Sequence, residues 1–274
     1  MSEGLRAMTE CVKTTARERL AQAREELAAR GISTRQLGRE RLLSACRWVY
    51  RWGWSAPAIV DTLGGSRRGL SARAVDAGLM VETRTAAGGV LEDVPKKLLT
   101  LTDAGIAFVE KHLKEDELLE PEDALRINQA NLRHDFLVQK ATIKNLRDGK
   151  ISDYLTPKEI AEASKKEEKI PDAIWIRPDN RKMAIELELT PKFKRKLDDF
   201  VWGIVTALTS NPPRFDGCAI LSDSPAILTR YKSAFTPGKK IARWERDSQS
   251  HWRIRGWKEV PDLQKRLLFR LLSQ

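Results

Sequence analysis

The chain has 274 residues, 41% hydrophobic and 32% charged, a balance that excludes an intrinsically disordered protein and is long enough for two domains with their own cores. Forty-nine Lys and Arg against 38 Asp and Glu leave a formal charge of +11, which favours a polyanionic partner, nucleic acid first, although many basic proteins use such charge only to stay in solution. No apolar run approaches the roughly 18–20 residues that cross a bilayer, "MSEGLRAMTECVKTTARERL" lacks a signal-peptide core, and Cys11, Cys46 and Cys218 show no CxxC spacing for a disulfide framework or a zinc site, so a cytoplasmic protein with reduced thiols and no membrane contact is expected.

Residues 1–36 are rich in Ala, Glu and Arg. Leu20, Ala23 and Leu27 recur at helical spacing and Gly31 follows as a C-cap, which predicts a helical arm for dimerisation or packing, or a plain solvated helix. Residues 37–115 read as a second unit. "RERLLSACRWVYRWGW" predicts an apolar helix, and Ser55 can cap a short helix through Leu63. "GGSRRGLSARAVDAG" predicts a turn and a third helix ending at Gly78. "LMVETRT", a break at "AAGG" and "VLEDVPKKLLTLT" predict two strands around a glycine-rich hairpin. "TDAGIAFVEKHL" then predicts a closing helix with Thr102 or Asp103 as its cap.

Three helices followed by a hairpin is the order of a winged helix-turn-helix. That arrangement would carry Arg67, Arg68 and Arg73 on the third helix toward a major groove, with Arg84 at the base of the wing near phosphate. The same fold can also serve protein contacts alone.

Acidic "KEDELLEPEDALR", with Pro121, predicts a boundary, and residues 122–274 form the last unit. A helix is expected from Ala124 to about Arg147, stopped by Gly149. "ISDYLT", "IPDAIWI" and "MAIELELT" predict strands, the last two joined by a tight turn at "RPDN". "PKFKRKLDDFVWGIVTALTS" predicts a helix with Pro191 in its first turn. An apolar strand "FDGCAILSD", a helix "SPAILTRYKSAF" and a late strand "HWRIRGWKEV" follow. The order α-β-β-β-α-β implies a mixed α/β (α+β) domain, one sheet flanked by helices.

In "MAIELELT" the alternation puts Ile185, Leu187 and Leu189 on one face and Ala184, Glu186 and Glu188 on the other. Two carboxylates one residue apart on an apolar strand should repel, and burying either is costly. A hairpin that also brings Asp172 alongside gathers three carboxylates on strands about 5 Å apart. A hard cation, Mg²⁺ or Mn²⁺, between them would relieve the repulsion, polarise a phosphodiester and lower the pKa of a bound water. The competing reading is an edge strand that carries charge to resist aggregation.

Pro171-Asp172, the hairpin, Glu186-x-Glu188 and the basic helix after them resemble the PD-(D/E)xK nuclease core. The departure is Glu188, where that core carries a lysine that positions or activates the attacking water. Lys192, Lys194 or Lys196 could supply a migrated amine, Lys192 being nearest and Lys196 one turn on. Alternatively Glu188 is the base and the lysines hold phosphates. With "LRHDFLVQ", "PDAIW", "IELELTPK" and the winged-helix unit, residues 40–225 resemble the MobC-type relaxases of mobilisable plasmids, and the related replication-relaxation proteins share much of this pattern.

That resemblance implies an enzyme that binds the origin of transfer of its plasmid and nicks one strand. Asp172, Glu186 and Glu188 would hold the metal and Lys192 would stabilise developing charge. His134 would bind phosphate, orient a ligand or be purely structural, and Asp135 beside it could pair with a lysine. An accessory mobilisation protein and a coupling ATPase are implied partners. A tyrosine nucleophile competes with water, but Tyr50, Tyr154 and Tyr231 lie near no HxH cluster, and Tyr154 is the one nearest the motif in sequence. Trp48, Trp52, Trp54, Trp175 and Trp202 read as core residues, any of which could instead stack on an unpaired base. Two other functions fit the same residues: an inactive DNA-binding regulator, and a restriction-type double-strand nuclease, which would need a homodimer.

Overall fold

A computed structural model describes residues 15–64, 69–120, 123–164 and 168–272. Arg67, Arg68 and Cys11 lie outside them. Among the described residues no helix is long and apolar enough to cross a membrane.

The described part of the N-terminal third is mainly helical because its apolar residues recur at three- and four-residue spacing. Helix α1 spans Ala16–Ala29, and Gly31 takes a positive φ of 66° just beyond it. Helix α2, Thr34–Trp52, starts where the Ser33 hydroxyl accepts from the Gln36 N–H at 3.0 Å, and it buries Ala45, Cys46, Trp48, Val49 and Tyr50. Helices α3 (Pro57–Leu63) and α4 (Leu70–Asp76) follow. Strands β1 (Met80–Arg84) and β2 (Lys97–Leu101) pair antiparallel, Met80 opposite Leu101 and Arg84 opposite Lys97. Helix α5 (Asp103–Glu110) is capped by the Thr102 hydroxyl, which accepts from the Gly105 N–H at 3.1 Å. Val49, Val60, Leu70, Ala74, Met80, Leu99 and Val109 form the core of this unit.

Ser55 does not cap α3. Ala56 stands at the cap, and Ser55 is fully buried, paired through its backbone with Leu99. Its hydroxyl donates to Gln139 Oε1 at 2.7 Å and accepts from Trp48 Nε1 at 3.2 Å, partners more than a local cap could offer in a dry site. The second hairpin strand also starts later than its sequence suggests, at Lys97, with Val90 exposed in the connection.

Helix α6 spans Leu132–Arg147 rather than beginning at Ala124. Before it, the Asp123 and Asn128 carboxyl and amide oxygens accept from the Leu125 and Ala130 N–H groups, and these local bonds hold two 3₁₀ turns in place of helix. Gly149 at a φ of 65° follows α6. Strand β3 (Asp153–Leu155), helix α7 (Pro157–Ala163), strands β4 (Ala173–Ile176) and β5 (Lys182–Leu187), helix α8 (Lys194–Thr209), strand β6 (Gly217–Ser222) and helix α9 (Pro225–Ala234) come next. Strands β7 (Lys240–Arg246) and β8 (Trp252–Glu259) make an antiparallel ribbon of their own, and β9 (Leu267–Leu271) closes the chain.

The main sheet runs β3-β4-β5-β6-β9, with β3, β4 and β5 antiparallel and β6 and β9 parallel to their neighbours. It is a mixed α/β sheet covered on both faces. Leu137, Val138 and Ile143 of α6 pack on Trp175, Ile185, Leu187 and Leu221. Phe200, Val201, Ile204 and Leu208 of α8, with Leu228 and Tyr231 of α9, pack on Ile174, Ala184, Cys218 and Ile220. The period of two along β5 thus sends Ile185 and Leu187 to one layer and Ala184 to the other. Trp48 and Ile59 enter the α6 layer, so the helical third and the sheet share a core. Gln139, fully buried, ties the two by donating to the Trp54 carbonyl at 3.0 Å.

Candidate functional site

Register brings the acidic residues together. The Asp172 N–H donates to the Ile185 carbonyl at 2.9 Å, one position before β4, and the Glu188 N–H donates to the Leu221 carbonyl at 2.8 Å, one position past β5. Asp172 Oδ2 therefore lies over the β5 backbone and accepts from the Leu187 N–H at 2.7 Å. Glu186 and Glu188 point to the α8–α9 layer, where each is 4% exposed.

Each carboxylate has its own cation or donor, which is how the fold tolerates them. Lys169 Nζ donates to Glu186 Oε2 at 2.7 Å. Lys192 Nζ donates to Glu188 Oε1, and the Tyr231 hydroxyl donates to Glu188 Oε2 at 2.8 Å. Both ammonium groups also lie within 5 Å of the Phe200 ring, at 4.9 and 4.8 Å. Burial, then the neighbouring Asp172 and Glu188 charges, push the Glu186 carboxyl up to about 7 against the pull of Lys169. Burial opposes the Lys169 charge, but Glu186 outweighs it and holds that ammonium above its ordinary value. Burial, reinforced by Glu188, pushes the Tyr231 phenol up.

His134 holds Asp172 from the other face of the sheet. Its Nδ1 lies 2.9 Å from Asp135 Oδ1, and its Nε2 lies 3.2 Å from both Asp172 Oδ2 and the Leu187 carbonyl. Burial opposes its charge, yet the two carboxylates outweigh that and raise the ring to about 10. Every partner is an acceptor, so the imidazolium satisfies them all. Asp135 thus pairs with His134, not with a lysine.

Among the described residues, no group of three or more His, Cys, Asp and Glu is arranged to hold a metal ion. Asp172, Glu186 and Glu188 are nevertheless oxygen donors of the kind that hard cations take. Asp172 Oδ2 and the Leu187 carbonyl converge on one point, filled by the imidazolium N–H, while Lys169 and Lys192 neutralise the other two carboxylates.

Helix α8 begins at Lys194 with Phe193 as its cap, so neither Pro191 nor Lys192 is in its first turn. Lys192 sits on the connecting segment, whose carbonyl accepts from Arg230 Nε at 2.9 Å. From there its ammonium turns back to Glu188. Lys194 is exposed. Lys196, also exposed, lines a cleft of about 550 Å³ with Lys169, Lys192, Trp202 and Arg243. A second cleft of about 480 Å³ opens between the helical third and the sheet, lined by His134, Asp172, Arg51, Arg126 and Lys158. Arg73 and Arg84 are exposed on α4 and β1.

The sequence does not disclose Lys169, which lies upstream of the Pro-Asp pair in a connecting segment, and it offers Tyr231 only as one of three tyrosines with no tie to the carboxylates. Tyr231 rather than Tyr154 reaches a carboxylate of the trio; Tyr154 is buried under the Arg51 guanidinium, 4.0 Å from its ring centroid. Trp48, Trp54 and Trp175 are buried, while Trp52 and Trp202 are partly so. No family model, curated protein or solved structure matches the chain.

Proposed function

We propose that this chain is a metal-dependent endonuclease that nicks one strand of DNA, a relaxase built on a PD-(D/E)xK-type core with a winged-helix DNA-binding unit in front of it. The observation that carries the reading is the placement of Asp172 against the Leu187 N–H, with Glu186 and Glu188 on either side and two lysines on those carboxylates. The order α6-β3-α7-β4-β5-α8-β6, with β4 and β5 an antiparallel hairpin and β5 and β6 parallel, supports the nuclease-type core. The order α2-α3-α4-β1-β2, with exposed Arg73 and Arg84, supports the winged helix.

Asp172, Glu186 and Glu188 would supply oxygens to Mg²⁺ or Mn²⁺. When bound, that ion would polarise the scissile phosphate and acidify a water. Lys169 and Lys192 hold the two glutamates in place and offer cations to a phosphate that displaces them. Lys194 and Lys196, exposed beside the cleft, would steer the DNA backbone. His134 orients Asp172. By resemblance the DNA is a plasmid origin of transfer, and the partners are an accessory mobilisation protein and a coupling ATPase.

The pairing of every carboxylate with a cation of the chain favours a second reading, a DNA-binding regulator without catalysis. Supercoiled plasmid bearing the origin, incubated with Mg²⁺ or Mn²⁺, separates them. Open circles are expected. Retarded but uncut plasmid would support the regulator, and linear product a dimeric double-strand nuclease.

A further inference from the structure

The β7–β8 ribbon is basic and aromatic in a way its role in the fold does not require. From Lys239 to Glu259 it carries seven Lys or Arg against three Asp or Glu. Glu245 pairs with Arg253 and Ala242 with Trp257, and a register shift between Arg243 and Trp244 leaves Arg255 as an extra residue of β8, so the strand bulges there and turns its basic and aromatic side chains outward. Trp257 is 62% exposed and the two arginine side chains are 68% and 60% exposed. The ribbon also meets α8: the Arg195 and Arg246 guanidinium groups lie 3.9 and 4.9 Å from the Trp252 ring centroid, and Trp244 Nε1 donates to Asp198 at 2.9 Å.

The ribbon is also continuous with the candidate site. Arg243 and Trp244 form one wall of the same cleft that Lys169, Lys192 and Lys196 line, and the first two lysines end on Glu186 and Glu188. A polymer leaving those carboxylates along the cleft meets the ribbon next.

We propose that the β7–β8 ribbon binds a single strand of DNA leading away from the carboxylate site. The inference rests on the reading of the chain as a DNA-nicking protein. Charge complementarity selects a polyphosphate. Exposed indole rings interleaved with arginines select unpaired bases, because a base can stack on a ring only when its face is free, whereas a duplex presents its phosphates and hides those faces. Trp257 is the stacking platform, and Arg253 and Arg255 take phosphates.

The test compares a labelled oligothymidylate with a duplex of equal length, both without metal, on the full chain. Trp257→Ala is expected to weaken oligothymidylate binding roughly tenfold, the loss of one stacked base, and to leave duplex binding unchanged. Trp257→Phe should keep most of the affinity, and Arg255→Ala should lower the salt dependence of strand binding. Unchanged oligothymidylate affinity in both alanine variants overturns the proposal. So does an equal loss on duplex, which would make the ribbon a general electrostatic surface. Because no metal is present, the outcome is separate from cleavage: Trp257-dependent strand binding in a protein that never nicks sustains the ribbon and rejects the enzyme. Nicking with Trp257-independent binding does the reverse.

Discussion

The carboxylates around β5 and the arginines of the β7–β8 ribbon are the same kind of feature, like charges crowded on neighbouring strands, handled in opposite ways. Glu186 and Glu188 are withdrawn from water, and each is given a lysine. Arg253 and Arg255 stay in solvent, paired at the surface with Asp247 at 2.6 Å and Glu245 at 3.5 Å. Burial makes the first set expensive to disturb and fixes its geometry, as a site that positions a reacting group requires. Exposure makes the second set cheap to rearrange, as a surface that follows a flexible strand requires. The difference teaches where to look for chemistry and where to look for grip.

Breaking a buried pair should have the larger effect on stability. Lys169→Ala leaves Glu186 without its cation, and denaturant unfolding at pH 8 should show a loss of about 3–5 kcal/mol. The loss should shrink toward pH 5, where the carboxyl can take up a proton instead. A change below about 1 kcal/mol at pH 8 would place the pair in the same weak class as the surface arginines.

The pH dependence of Glu186 sharpens the contrast. Unfolded, the carboxyl titrates near 4.5, and folded it titrates at about 7, so the folded state holds the extra proton between those values. Stability from this group is present below pH 4.5 and falls as pH rises toward 7, by on the order of 3 kcal/mol in total. Glu186→Gln should remove that slope, measured as the difference between the two proteins in chelator. His134 does not disturb the window below pH 6.5, because it is charged in both states there; its own contribution is lost as pH rises from there through about 10. Parallel stability curves for the two proteins would contradict a buried, raised carboxyl.

The smallest effect belongs to the ribbon. Arg255→Ala breaks a 3.5 Å pair with Glu245 between exposed side chains and should change stability by less than about 1 kcal/mol. A larger loss in the same unfolding experiment would show that the ribbon arginines support the fold and are not free for a partner.

Periodic patterns were legible and long-range partners were not. The alternation of β5 gives its two faces correctly, and of the two caps the sequence offers, Thr102 and Asp103, the fold uses Thr102; both features depend on residues within a few positions. Helix α7 carries a readable Thr156-x-x-Glu159 capping box, but it is short and followed by a charged run. Strands β7 and β9 are harder: β9 pairs with β6 some way back along the chain, and β7 pairs with β8 through a register shift between Arg243 and Trp244. In the site, Asp172, Glu186 and Glu188 stand out because carboxylates on an apolar strand are anomalous. Lys169 and Tyr231 do not, since a lysine in a loop and a tyrosine on an amphipathic helix are ordinary until the fold brings them to Glu186 and Glu188.

The central claim is that the acidic residues at the ends of β4 and β5 do chemistry on DNA. It is tested most directly by following conversion of supercoiled origin plasmid to open circles by the unaltered protein and by Asp172→Asn and Glu186→Gln, with plasmid binding measured in parallel. The account predicts divalent-ion-dependent nicking that falls by at least about a hundredfold in each variant, the usual scale for a catalytic group, while binding persists. Nicking that survives both substitutions, or an unaltered protein that binds and never cuts, would contradict it.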